Sequence, residues 1–279
     1  MSETNKNTFE ISDTVRRIGT SEAYQVELNS DAPEVLVLDD RGRRLRAIRL
    51  AAHVLKNEQE SGYMSLEGHK MNITGQLTTF YESLNELRML KENRAKYHEK
   101  IPARRKVAEF NHAVKDMIDS NSTLTFNEVK TFILSMNQAI NGRQASGPEL
   151  EYEVSSLLVG MSHEIAFEQM LGFMPGVEYE EATIDDDLHG ADFLVSIDNS
   201  PMTPIDVKAS QSAVRHKKAK AAENGYTANG AVWSHIDNKD FNGSFRIPNN
   251  LAKTRSVDLY NDLKKAIYAQ HTPAQQYAS

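Results

Sequence analysis

The chain contains no cysteine. That excludes disulfides, thiolate nucleophiles and any cysteine-ligated zinc or iron–sulfur site, and it fits a reducing compartment, so the expected location is cytoplasmic. There is one tryptophan among 279 residues. No apolar run is long enough to span a bilayer, and the polar opening Met1–Glu10 lacks the apolar core of a signal peptide. An excess of positive charge is also missing. The formal net charge is −7, which argues against a protein that coats nucleic acid by electrostatics alone.

What charge there is lies unevenly. Glu149 to Asp192 holds twelve acids and no Lys or Arg, whereas Ala209 to the end holds ten Lys or Arg against five acids. An acidic stretch followed by a basic one suits a cation site beside a phosphate grip, or two oppositely charged solvated surfaces.

Along the chain, Val35–Leu38 reads as a short strand closed by the turn Asp39–Gly42. The basic segment Arg43–Arg49 follows, and with Arg41 it offers a nucleic-acid contact without any recognisable reading head. From Thr74 to Ile140 apolar residues recur at helical spacing (Leu77, Phe80, Tyr81, Leu84, then Val107, Phe110, Val114, Met117). Pro102 is expected to interrupt them, and Ser122 or Thr125 to cap a helix over Phe126–Ile140. Asn141–Pro148 is the best linker. The expected division is a mainly helical domain over 1–145 with a small β element, an α/β domain over 149–270, and a flexible tail over 271–279.

Chemistry concentrates in two short segments, Ala191–Ile197 and Pro204–Ser210, joined by the turn signal Asp198-Asn199-Ser200-Pro201. Side chains alternate faces along a strand. Phe193, Val195, Ile205 and Val207 therefore fall on one side, and Asp192, Asp206 and Lys208 on the other. A hairpin folded about Asn199 sets Asp192 opposite Asp206. Like charges so placed repel, unless a cation lies between them. Two carboxylates suit Mg²⁺, which polarises a phosphoryl oxygen and acidifies a bound water. Lys208 points into the same space, where it can orient that water or stabilise charge on the phosphate.

Gly190-Ala191-Asp192, a hairpin, then Ile205-Asp206-Val207-Lys208 resembles the PD-(D/E)xK, or restriction-endonuclease-like, nuclease superfamily. The likeness spans about residues 151–240 and includes element order: a helix (Glu151–Leu171), strands near Val177–Thr183, Ala191–Ile197 and Pro204–Ser210, a helix (Gln211–Asn224) and a strand (Ala231–Ile236). Ala191 stands where proline is frequent, and Asp206 where glutamate is. The resemblance implies a mixed sheet flanked by helices and Mg²⁺-dependent hydrolysis of phosphodiester bonds, most often in DNA, with Mn²⁺ as a substitute. Cleavage of RNA or single-stranded DNA, and a non-catalytic nucleic-acid-binding or assembly module, are the alternatives.

By the same resemblance Asp192 and Asp206 hold the metal and Lys208 acts on water and phosphate. The helix pattern Gly160-Met161-Ser162-His163-Glu164, followed by Phe167 and Leu171, nominates Glu164 as a third acid. Glu168, nearer the centre of the apolar stripe Val154–Leu157–Leu158–Met161–Ile165, is its reserve. Glu178 is a weaker candidate. Gln211, Arg215, Lys217, Lys218 and Lys220 form a basic helix face that can grip phosphates. Ser210 and Gln211 suit a helix cap equally well. His163 and His189 flank the site, and Asp185-Asp186-Asp187 reads as an acidic loop. The helical domain is expected to choose the substrate, dimerise or bind a partner protein.

Overall fold

The computed structural model describes residues 64–141, 147–223 and 230–271. The strand expected at Val35–Leu38 and the arginine segment up to Arg49 lie outside them. The chain divides into two compact units, Met1–Ser156 and Leu157–Ser279.

Helices α1 (Leu66–Glu92), α2 (Tyr97–Ser120) and α3 (Phe126–Asn141) build the first unit, joined by the opening turns of α4 (Pro148–Leu171). Each start has a local cause. Ser65 accepts a hydrogen bond from the Gly68 amide at 3.0 Å. Thr125 and Glu128 form a reciprocal cap, with Glu128 accepting from the Thr125 amide at 2.8 Å and Thr125 accepting from the Glu128 amide at 3.3 Å. The helical periodicity becomes a core in which Phe80 and Phe110 stack with ring centroids 3.9 Å apart, above fully buried Ile73, Leu77, Val114 and Ile133. Pro102 lies inside α2 and does not end it. It removes one backbone hydrogen bond near the helix start, and the break falls earlier, at Asn93–Lys96, where Arg94 takes a left-handed φ of 52°.

The second unit is α/β. A mixed four-stranded sheet has the order β1 (Val177–Glu181), β2 (Phe193–Ile197), β3 (Thr203–Lys208), β4 (Gly230–Trp233). The first two pairings are antiparallel and β3–β4 is parallel, as it must be when α6 (Gln211–Glu223) carries the chain across. Two elements went unforeseen. The Asp185–Asp187 run is the short helix α5 (Ile184–Leu188) rather than a loop, because Thr183 and Asp186 cap it reciprocally. Beyond β4 and a 3₁₀ turn (Asn238–Phe241) comes α7 (Asn249–His271). Its buried positions, Ala252, Ser256, Leu259, Leu263 and Ile267, are spaced by three and four residues.

The core joins Ala166, Phe167 and Met170 of α4 and Leu259, Leu263 and Ile267 of α7 to Phe193, Val195, Ile205, Val207 and Val232 of the sheet. It therefore takes the odd-numbered side chains of β2 and β3 and leaves the even-numbered ones to the other face. No helix among the described residues is long and apolar enough to cross a membrane.

Gly230 is where β4 meets α7. A Cβ there would lie 2.9 Å from Ile205 Cδ1 and 3.3 Å from the Ala266 Cβ, so Gly230→Val should cost about 1–3 kcal/mol by overpacking. Urea denaturation of the variant would then show an earlier midpoint, and an unchanged one would mean that α7 can withdraw.

Candidate functional site

The β2–β3 turn sets the register. Ser200 donates its amide to the Ile197 carbonyl at 2.9 Å. Between them Asp198 and Asn199 take left-handed φ values of 51° and 62°, the conformation that short side chains able to bond locally tolerate best. Phe193 then pairs with Ile205 and Leu194 with Pro204. The pairing ends there, one step short of the expected Asp192–Asp206 pair, which does not form.

At that step the strands part. The Asp192 amide still donates to the Ile205 carbonyl at 2.8 Å, but β2 begins only at Phe193, while β3 runs on to Lys208. The Val207 amide and carbonyl therefore have no strand partner on the β2 side, and side chains serve them. Asp192 Oδ2 accepts from the Val207 amide at 2.6 Å. The Lys208 ammonium donates to the Val207 carbonyl at 3.3 Å.

Asp206 is a buried charge, with 2% of its surface exposed. Its Oδ1 accepts from the Lys208 ammonium and its Oδ2 from the Lys217 ammonium. Lys217 also donates to the Gly190 carbonyl at 3.1 Å. Gly190 has a φ of 80°, and a Cβ there would lie 3.3 Å from the Lys217 Nζ, so glycine suits the position on two counts. A carboxylate this buried is tolerable only when paired and hydrogen-bonded. Two half-exposed lysines meet that condition.

Asp206 and Lys208 thus touch and Asp192 binds the intervening Val207 backbone, while the other residues take different places. Among the described residues, no group of three or more His, Asp or Glu side chains is arranged to hold a metal ion. Glu164 does not complete such a set with Asp192 and Asp206. The neighbours of Glu164 and Glu168 on α4, Met161, Ser162, His163, Ile165, Ala166 and Phe167, are buried. Gly160, Glu164 and Glu168, four residues apart, form the strip left half-exposed, so Glu168 is not at the centre of the apolar face. Glu178 is exposed on β1. Ser210, not Gln211, caps α6, accepting from the Ala213 amide at 3.2 Å. Gln211, Arg215, Lys218 and Lys220 are exposed along α6. Lys217 departs from them, since its ammonium is committed to Asp206. Its position was signalled by spacing, because it follows Ala213 by four residues and Val214 by three, and these three are the half-buried residues of α6 up to Lys220.

His163 is a core histidine. It is 1% exposed, with Nε2 donating to the Asn238 Oδ1 at 2.9 Å and Nδ1 accepting from the Ser234 hydroxyl at 2.6 Å. Burial holds its pKa below the usual 6.5, against the opposing pull of Asn238 and Asp237. His189 is exposed and bonds the Asp185 carbonyl at 2.7 Å.

Comparison with family models, with curated proteins and with solved structures finds no match to this chain.

Two predictions follow from these contacts. Removing one lysine leaves Asp206 underpaired, so Lys217→Met should destabilise by about 1–3 kcal/mol. Adding Asp206→Asn to it should recover part of that loss, as read by a double-mutant cycle in urea. For His163, the unfolded chain binds the proton more readily than the folded one, so its contribution is complete above pH 6.5 and declines as pH falls from there towards the lowered folded value. Denaturation at pH 8 and pH 5 should show a smaller acid loss in His163→Gln than in the parent protein. An equal loss would assign the acid sensitivity elsewhere.

Proposed function

We propose that the second unit is a metal-dependent nuclease domain that hydrolyses phosphodiester bonds, with DNA as the first substrate to test. The observation that carries this reading is Asp206. It is a carboxylate 2% exposed, set where β2 leaves β3, next to a backbone amide that a second carboxylate holds and in contact with Lys208. A charge kept in so dry a place is a functional-site signal. The element order supports the reading too. Apart from the short helix α5 between β1 and β2, a helix, three antiparallel strands, a helix and a fourth strand parallel to the third follow the order of the restriction-endonuclease-like core that the sequence resembles.

The donor set fits a hard divalent cation. Asp192, Asp206 and the Val207 carbonyl offer only oxygen. A cationic group already bridges two of these donors, since the Lys208 ammonium touches both Asp206 and the Val207 carbonyl. Mg²⁺, or Mn²⁺ in its place, would supply a polarised phosphoryl oxygen and a water of lowered pKa. Lys208 then holds a proton and a positive charge beside the phosphate, stabilising the oxyanion that develops there. Asp192 is anchored by one carboxylate oxygen on the Val207 amide.

A second reading, a nucleic-acid-binding module without catalysis, has its own support. Both Asp206 oxygens are engaged by lysines, so a metal has to displace an ammonium to reach them.

Cleavage assays separate the two. Duplex DNA, single-stranded DNA and RNA are incubated with Mg²⁺ or Mn²⁺, with a chelator as control. The nuclease reading expects metal-dependent product and a loss of about a hundredfold or more in Asp206→Asn and Lys208→Ala. Tight binding with no cleavage of any substrate would establish the second reading instead.

A further inference from the structure

Beside the site, at the free edge of β4, α6 and α7 enclose a cleft of about 420 Å³. That lies within the roughly 300–1,000 Å³ typical of ligand sites. Its floor is Ala231, Val232 and Trp233 of β4, and its walls carry Arg215 and Lys218 from α6 and Lys265 from α7. The one acid on the walls, Asp262, is already answered, 3.0 Å from His235 Nε2 and 3.5 Å from the Lys265 ammonium. In a chain of net charge −7, an aromatic floor with cationic walls is a local reversal.

We infer that this cleft binds one nucleotide of a single-stranded nucleic acid, its base against Trp233 and its phosphates on Arg215 and Lys218. This rests on the nuclease reading in one respect only, the continuity of the two sites. Trp233 is the β4 residue paired with Lys208 of β3, so cleft and carboxylates occupy neighbouring strands about 4.8 Å apart. Helix α6 serves both, turning Lys217 to Asp206 and Arg215 and Lys218 to the cleft.

The shape selects a single strand. A base buried in a duplex offers no face to an aromatic ring, whereas an unpaired base stacks on one, and phosphate-tracking cations beside a stacking platform are the usual means of holding single strands. One side of the Trp233 ring is backed by His235, at 4.5 Å between centroids and tilted by 31°, which holds the indole while its remaining surface contributes to the cleft. An acidic peptide would use the cations but gain little from the indole.

Trp233 is the only tryptophan beside ten tyrosines, so emission excited selectively at the indole reports on the cleft alone. The test titrates the full chain with an oligothymidylate of about ten nucleotides in the presence of chelator, so that binding is read without cleavage. The inference expects saturable quenching, weaker with a blunt duplex of equal length. Arg215→Ala with Lys218→Ala removes two phosphate contacts and should flatten the dependence of log K on log salt by about 1.4. Trp233→Leu, followed by anisotropy of a labelled oligonucleotide, should weaken binding by roughly fivefold or more. No quenching, or an unchanged salt slope in the double variant, overturns the inference. So does polyglutamate that displaces the oligonucleotide at equal charge concentration, which would mark a surface for acidic protein. The two proposals fail separately: quenching without cleavage by any metal counts against the nuclease reading alone, and cleavage without quenching against the cleft alone.

Discussion

The second unit is arranged around the burial of one carboxylate. Removing Asp206 from water costs several kcal/mol unless partners are fixed in place, and much of the local geometry provides them. The β2–β3 ladder stops after Phe193–Ile205, which opens the strand edge to side chains. Asp192 takes the freed Val207 amide. Helix α6 crosses on the Asp206 face and delivers Lys217. Gly190 supplies a carbonyl and, lacking a side chain, room for the ammonium. Lys217 and the Gly190 carbonyl that holds it would be dispensable with an apolar residue at position 206.

That contrast bears on function. Well-packed apolar residues often replace a buried ion pair with no loss of stability, and sometimes with a gain. The neighbouring positions show that the sheet can be apolar here, since Ile205 and Val207 sit in the core on the opposite face. Stability therefore gives no reason for a charge at 206, and that is the ground for the functional reading proposed above. The same two strands carry both roles by alternation. Their odd-numbered residues hold the sheet to α4 and α7, and the even-numbered Asp206 and Lys208 of β3 carry the charges.

The parts legible from sequence are those set by local rules. Asp198-Asn199 accepts left-handed backbone, so the turn was visible and the register with it, and period-two alternation then assigned the faces. The first three helices showed their apolar spacing. What escaped reading depends on packing between distant segments. α7 presents its buried positions only every third or fourth residue amid polar ones, and the spacing from Ala252 to Ile267 went unused. Lys217 belongs to a run of basic residues, and only the approach of α6 to β3 distinguishes it from Lys218. The position of Glu168 on the helix departs from the sequence reading for another reason. A wheel drawn on one stripe assumes one buried face, but α4 is buried around most of its circumference from Met161 to Phe167, which leaves Glu164 and Glu168 on the exposed remainder.

The uneven charge of the sequence also acquires a location. β1 is one edge of the sheet and displays Glu178, Glu180 and Glu181 to solvent, with Asp185 exposed on the helix that follows. Charge on an edge strand discourages pairing with other chains, which is reason enough for acids there without a metal. β4 is the opposite edge, and α6 and α7 surround it with Arg215, Lys218 and Lys265. The sheet is thus acidic at one margin and basic at the other, with Asp206 on the third of its four strands, next to the basic side. A polyanion is repelled from β1 and drawn to β4. The net charge of −7 therefore argues only against coating nucleic acid, and it is compatible with admitting a strand from one direction.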